Sequence, residues 1–470
     1  MLSEVAWEPG FLPMEQVLKL LPRPLKEPLS ALLDGGGEDA RSRRGAMMAF
    51  AIRLASAAIA FASQVLLARW LGGYEFGIFT YVWVWVNVVG SLCTVGFAVS
   101  AIRFLPEYRA TAAKDLARGF LRAGRGVSFG AGIACTLAGL AVLYLLDDAV
   151  AVYYRVPLAL ALACVPAYAL IDFQDGVGRA HSWIDLALAP PYIARPLLLL
   201  GFVGLAISLG WAHSAETAVL AAIAANWLTA AGQYALQRRR LREILPAGER
   251  RYRLGAWLRV SMPALLLEGF ALLMINLDIL LLDIFVAPDR IAVYFAAARS
   301  ISLIGFVHFA VAAACMPRFA ASHASGDRAA TRALFAASRK WMLVPSLAGG
   351  AVLLALGQPI LWLFGPEFAA GYPVMFVLVV GLLARAAAGP AQGLLVVTGK
   401  HNLTAVVMAV TVGVNAALNL LLIPRFGLIG AAMATSAAFG YESLTLYMIA
   451  RRTVNEAPPP MPTDKAPAIS

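Results

Sequence analysis

Charged side chains recur inside long apolar stretches of this chain, where each needs a physical reason to be present. Arg53, Arg195, Arg299 and Arg385 lie in such stretches, as do Asp172, Asp175, Glu268, Asp278, Asp283 and Glu442. At the centre of a membrane helix each would cost about 2.5–3.5 kcal/mol on insertion scales, so they should face a wet cavity or one another. A guanidinium in such a cavity can bind an anion, and a carboxylate can take up a proton or sodium ion or neutralise an arginine. Plainer readings compete by position. Arg53 and Asp283 lie close enough to helix ends to snorkel toward headgroups. Asp172, Asp175 and Arg179 cluster near one end, where a salt bridge or gate explains them as well as substrate contact does.

Uncharged polar groups share the same stretches: Gln64, Asn87, Tyr168, Asn226, Asn276, Gln392, Asn415 and Asn419. Asn415 and Asn419 are one helical turn apart and share a face. Such amides can meet a hydroxyl-rich ligand, although in membrane helices they often only tie neighbouring helices together. Signals for enzymatic chemistry are weak. Residues 393–401 read GLLVVTGKH, which has one residue too many between the glycines for a phosphate loop and His401 where Ser or Thr is required. Cys93, Cys135, Cys164 and Cys315 and the five histidines show no metal-ligand spacing, so neither a metal nor another cofactor is expected and the chain does not read as an enzyme.

The elements that must position these groups are apolar helices. Hydrophobic residues make up 61% of the chain and charged ones 14%, with a mean hydropathy of +0.75. A soluble domain carries about 25% charged residues. Crossing a bilayer takes about 20 helical residues. That length recurs at residues 47–68, 76–101, 127–146, 156–176, 186–209 and 215–236, and again at 262–286, 291–316, 341–357, 372–396, 403–423 and 428–450. Pro190, Pro191 and Pro196 sit where a helix could break instead of continuing.

Arginine and lysine crowd alternate loops, above all 238–259, while the intervening loops hold little more than Arg69, Arg155, Arg290 and Arg425. Basic flanks stay in the cytoplasm, so both termini should be cytoplasmic and the helix count even. Trp70, Trp211 and Trp362 fall near proposed outer ends, and Trp183, Trp257 and Trp341 near inner ends, as an aromatic belt would place them. The formal charge of +11 then records topology and attraction to anionic membrane lipids, with no call for nucleic acid. The segment before Arg41 lacks the basic start and continuous apolar run of a signal peptide and should stay on the chain. Within it residues 17–21 can rest on the membrane surface, and residues 457–462 read as a solvated proline-rich tail.

The expected architecture is all-α and integral to the membrane, with about 12 spans. It comprises a cytoplasmic extension (1–45), a six-helix lobe (46–237), a basic linker (238–260), a second six-helix lobe (261–451) and a tail (452–470). An even number of crossings gives both lobes the same orientation, with a pseudo-axis along the membrane normal. A weak echo supports duplication. Residues 67–80 read LARWLGGYEFGIFT and the next helix leaves as Arg103-Phe-Leu-Pro106-Glu107; residues 280–295 read LLLDIFVAPDRIAVYF and the next leaves as Met316-Pro317-Arg318-Phe319.

These residues carry a family resemblance. LLARWLGGYEFGIFTYVWVW, IRFLPEY, NLDILLLDIFVAPDRIAVYFAAARSISL and MPRFAA resemble the polysaccharide-transporter branch of the multidrug/oligosaccharidyl-lipid/polysaccharide exporter superfamily. The resemblance spans roughly residues 44–452, and the extension before Arg41 is longer than the family leads one to expect. It implies two pseudo-symmetric six-helix lobes around a central cavity and a flippase of the O-antigen or exopolysaccharide kind, in the bacterial inner membrane. The implied cargo is an undecaprenyl-pyrophosphate-linked oligosaccharide, moved outward by alternating access. Arg53, Arg195, Arg299 and Arg385 would cradle its pyrophosphate, because a guanidinium stays charged and binds phosphate oxygens bidentately. Asp278 matches an acid that the family often places in its seventh helix, and with Glu268 it would couple to an ion or balance charge. Asp172, Asp175 and Arg179 would form an inner gate. Expected partners are the lipid-linked oligosaccharide, membrane lipids, and a polysaccharide polymerase with its chain-length regulators. The alternatives are a cation-coupled multidrug exporter of the same superfamily, and a membrane scaffold of a polysaccharide assembly complex that transports nothing.

Overall fold

The computed structural model describes residues 38–455, and among them every regular element is helical. Residues 38–55 are helical and belong to a first unit, Met1–Ala55; Ser56–Ser470 form the second. The proposed surface segment 17–21 and the tail 457–462 lie outside the described residues.

The helices follow the hydropathy pattern. They are α1 (Glu38–Leu92), α2 (Phe97–Ala110), α3 (Lys114–Leu145), α4 (Val152–Ala161) and α5 (Val165–Ala180), then α6 (Ile184–Ala189), α7 (Arg195–Ser208) and α8 (Ala215–Ile244). After the basic linker come α9 (Leu254–Leu282), α10 (Pro288–Ser302), α11 (Gly305–Ala324), α12 (Arg328–Ala355), α13 (Gly357–Phe364), α14 (Tyr372–Ala388), α15 (Ala391–Val397), α16 (His401–Phe426) and α17 (Leu428–Asn455). Among the described residues nine helical stretches are long and apolar enough to cross a membrane, or ten with α12 and α13 taken as one bent span. The expectation of twelve differs at two places. Two expected spans run together in Ala55–Ala110, although a non-helical residue, Gly72 (φ 77°, ψ 165°), separates them. The other is α17, whose apolar character is diluted by Thr435, Ser436, Tyr441, Glu442 and Ser443.

The three prolines do not break their helix. Pro190–Ala194 forms a π-helical turn between α6 and α7, so that Ile184–Ser208 remains one apolar stretch long enough to span. A proline removes an N–H from the ladder, and a wider turn absorbs the loss.

Packing is denser within each half than between them. α5 packs on α2, α3 and α8, whereas α17 packs on α14 and α16. The halves share one apolar core at the arginine-poor end, in which Phe76 meets Phe295 at 6.0 Å and Phe368 at 6.2 Å between ring centroids. Arg69 donates there to the carbonyls of Leu363 and Trp362, at 2.7 and 2.6 Å. At the arginine-rich end the halves have separate cores, one around Phe97, Phe120 and Phe173 and one around Phe319, Phe335 and Leu394. The start of α9 bridges to the first half there. Trp257 is fully buried and donates to the Tyr108 hydroxyl at 2.8 Å, and Ser261 shares a hydrogen bond with Ser100 at 2.7 Å.

Gly77 sets the closest approach at the arginine-poor end, where a Cβ on it would fall 1.8 Å from the Pro288 carbonyl oxygen. Gly77→Val must therefore push α1 and α10 apart. The expected outcome is a loss of about 1–3 kcal/mol, as for other overpacked sites, read as a lower Tm of the purified protein in detergent.

Candidate functional site

Arg195 opens α7 directly after the π turn, which aims it into the first half. Its guanidinium lies 5.0 Å from the Tyr168 ring and 5.6 Å from the Trp83 ring. Asn87 fixes the tyrosine by donating to its hydroxyl at 2.8 Å. Arg195 lines a cavity of about 120 Å³ together with Gln64, Trp83, Tyr192 and Asn226, and a smaller one beside Tyr168, Asp172 and Asp175. Among the described residues no carboxylate forms an ion pair with it. Aromatic faces stabilise the cation through their quadrupoles while leaving its N–H edge free for an anion.

Asp278 lies on α9 and is 5% exposed. The Tyr294 hydroxyl donates to its Oδ2 at 2.5 Å, the Ile279 N–H meets Oδ1 at 2.9 Å, and Thr435 of α17 approaches Oδ2 at 3.5 Å. Arg299 sits five residues after Tyr294 on α10, 4.9 Å from the Phe295 ring and within electrostatic reach of both Asp278 and Tyr168. Tyr168 thus touches Arg195 and lies within electrostatic reach of Arg299, which rests on Phe295 instead. Asn415 and Asn419 are fully buried; Asn419 Nδ2 donates to the Asn415 carbonyl and side-chain oxygens at 2.9 and 2.8 Å.

The other expected residues divide between two further places. Glu268 is separated from Asp278 by ten residues, about 15 Å along a helix. It stands instead within electrostatic reach of Asp172, Asp175 and Arg179. Arg179 pairs with Asp175 through two hydrogen bonds, one of them 3.0 Å from Nε to Oδ1. The acid from the second half therefore joins the proposed gate of the first. Arg385 lines a separate cavity of about 320 Å³ with His308, Gln392 and Glu442, its guanidinium 5.2 Å from the Phe439 ring. Arg53 is on α1, but its side chain lies outside the described residues.

Several contributors escaped sequence reasoning. Trp83, Tyr294, Thr435 and His308 come from helices other than those of the charges they face, and Tyr192 lies in the π turn three residues before Arg195. No spacing rule links them, and a buried aromatic beside a cationic span position was the one available signal.

At the arginine-rich end, just past Arg179, His181 stacks on Trp183 at 4.6 Å and its Nδ1 lies 2.9 Å from the Val177 carbonyl. Burial pushes its imidazole down to about 4, aided by the positive charge of Arg109. The folded state therefore favours the neutral ring. Stability is complete above the unfolded value near 6.5 and falls as pH drops from there toward 4. Lowering the pH from 7.5 to 5 should cost roughly 1–2 kcal/mol through this group, read as a Tm decrease that shrinks in His181→Gln. Tyr294→Phe removes the shortest donor to a buried carboxyl and should cost about 1–3 kcal/mol, checked by Tm at constant pH.

The comparisons with known proteins bear on the family and the fold. The family described as polysaccharide biosynthesis protein matches residues 42–323. No curated protein sequence matches. Among solved structures, the chain is similar to an inward-facing multidrug resistance MATE family transporter of the MOP superfamily (TM-score 0.68, 15% identity, covering 86% of this chain and 98% of that one). It is similar also to the lipid II flippase MurJ in its inward closed conformation (TM-score 0.69, 13% identity, covering 86% and 87%). A third is a MOP superfamily transporter from Pyrococcus furiosus with a binding pocket of reversed polarity (TM-score 0.64, 13% identity, covering 90% and 97%). At such identities the likeness is one of fold. The family match covers more than half of the chain, so this is a multi-pass membrane protein of the polysaccharide biosynthesis protein family, with the fold of the MOP superfamily transporters it resembles.

Proposed function

We propose that the protein is a flippase that carries an undecaprenyl-pyrophosphate-linked oligosaccharide from the cytoplasmic to the outer leaflet of the bacterial inner membrane, for surface polysaccharide synthesis. The observation that carries this reading is Arg195 held on the faces of Tyr168 and Trp83 beside a cavity, with Arg299, itself on Phe295, within electrostatic reach of the same tyrosine. A lipid-linked pyrophosphate presents phosphate oxygens to such groups, and the guanidinium geometry suits them. Asn87, Asn226 and Gln64 stand close by and offer hydrogen bonds to sugar hydroxyls.

In this reading the arginine-rich end faces the cytoplasm, as the distribution of basic loops requires, and both termini lie there. The lobes are residues 46–237 and 261–451, joined by the basic linker. One shared core at the opposite end and separate cores at the cytoplasmic end favour a central space that opens inward. Glu268 and the Asp175–Arg179 pair lie along its cytoplasmic approach and would gate it as the lobes close. Asp278, hydrogen-bonded by Tyr294 and facing Arg299, balances charge or couples to an ion. A polymerase and chain-length regulators would receive the product.

A multidrug exporter is the second reading, favoured by one observation: Asp172, Asp175 and Glu268 outnumber Arg179 near the cytoplasmic end, which suits a cationic cargo. Leaflet distribution of the lipid-linked oligosaccharide separates the two. Arg195→Ala and Arg299→Ala each remove a charge-assisted contact of about 1.5–3 kcal/mol. Outward transport should slow by about 10- to 100-fold, with cargo accumulating on the cytoplasmic leaflet at matched expression. Normal outward distribution in these variants and in a deletion strain would sink the flippase reading.

A further inference from the structure

α14 stops because of a missing donor. Pro390 has no N–H to return to the Ala386 carbonyl. The Gly389 N–H, which a continuing helix would give to Arg385, turns to Ala386 instead at 3.1 Å. Gly389 adopts φ 69°, a left-handed conformation that costs glycine nothing. Arg339 holds the next carbonyl, donating from Nε to Ala387 at 2.8 Å. The Arg385 carbonyl is thereby deprived of its helical donor inside a membrane span.

The His308 ring lies against that carbonyl and against the carbonyl of Ile304, at the second break, between α10 and α11. Both of its nitrogens are buried and neither meets a partner at hydrogen-bonding geometry. A neutral imidazole has one N–H for these two acceptors, and an imidazolium has two. The cavity of about 320 Å³ connects this ring with Arg385, Gln392, Glu442 and Ser443. Glu442 is 4% exposed, and Arg385 rests over Phe439, one turn earlier on the same helix, in place of an ion pair with the carboxyl. Irregular backbone at membrane depth is tolerated where it lines a cavity, and broken helices mark ion and substrate sites.

We propose that His308 and Glu442 form a proton-exchange site, separate from Asp278, whose occupancy Arg385 controls. A proton arrives from water at the arginine-rich end and forms an O–H bond at Glu442. Transfer to His308 breaks that bond as an N–H bond forms, and the imidazolium can then donate to the Ile304 and Arg385 carbonyls. The carboxylate left behind attracts the Arg385 guanidinium away from Phe439. A metal cation fits less well, because Arg385 already places a positive charge in the cavity. Of the other charged groups on helices packed against α17, Arg339 of α12 is engaged by Ala387 and Tyr447, and Asp278 of α9 meets α17 at Thr435, with Arg299 of α10 beside it. Thr435 is seven residues from Glu442, about two turns away. The use of the proton to drive transport rests on the flippase reading; occupancy of the site does not.

The test uses the full-length protein in lipid nanodiscs with no cargo present. Infrared difference spectra across a pH titration should show a protonated-carboxyl signal that is lost in Glu442→Gln. In Arg385→Gln its midpoint should rise by about 1–3 pH units, because a cation stabilising the carboxylate is gone. With ¹⁵N-histidine labelling, the signal that disappears in His308→Gln should change its protonation with the same midpoint as the carboxyl. A spectrum unaltered by Glu442→Gln, or a midpoint unmoved by Arg385→Gln, would overturn the proposal, as would radioactive sodium binding that Glu442→Gln abolishes. If Glu442→Gln does not fold, the Arg385→Gln midpoint decides alone. A failure of cargo flipping leaves these spectra unaffected, so the two readings fail separately.

Discussion

Lipid hydrocarbon gives a charged side chain neither water nor counter-ions, and this constraint orders the whole molecule. Arg195, Arg299 and Arg385 are retained in apolar helices because aromatic rings receive them at 4.9–5.2 Å. Asp278 is retained because a tyrosine and a backbone N–H meet its two oxygens. Arg299 meets a ring of its own helix, but the arrangements at Arg195, Arg385 and Asp278 need side chains from two helices, so the helices must pack where those charges require. Local chemistry of this kind, more than apolar contact, specifies the packing, since lipid tails compete evenly with leucine for an apolar face.

Interruptions of the helices follow from the same constraint. At the π turn Pro190–Ala194 the ladder widens and continues, which delivers Arg195 to Tyr168. At Gly389–Pro390 the ladder stops, and Arg339 and the His308 ring attend to the carbonyls near the break. Both are proline sites, yet they resolve differently. In the first the flanking residues remain helical, whereas in the second Gly389 turns left-handed and ends α14.

Much of the fold was legible in the residues. Apolar runs of bilayer length located the helices, because that signal depends on composition averaged over many residues. The site was legible only as a list of charges. That Arg195 rests on Tyr168 and Arg385 on Phe439, and that Glu268 belongs with Asp175 and not with Asp278, depends on helix rotation and on contacts between helices. A pattern of period 3.6 shows which residues share a face of one helix but says nothing of which helix that face meets. Likewise the expected span 372–396 ran through Pro390, where the helix in fact stops, and nothing in the sequence showed that the freed carbonyl would lie beside a histidine some eighty positions earlier in the chain.

The unequal distribution of the cores bears on energetics. Phe76, Phe295 and Phe368 join both halves in one apolar mass at the arginine-poor end, whereas the opposite end has two smaller masses, into one of which the first turn of α9 inserts Trp257. Separating the shared mass exposes aromatic area at about 25 cal/mol per Å², a cost that the opposite end, with its two separate masses, does not carry. Parting the halves is therefore harder at the arginine-poor end than at the arginine-rich end.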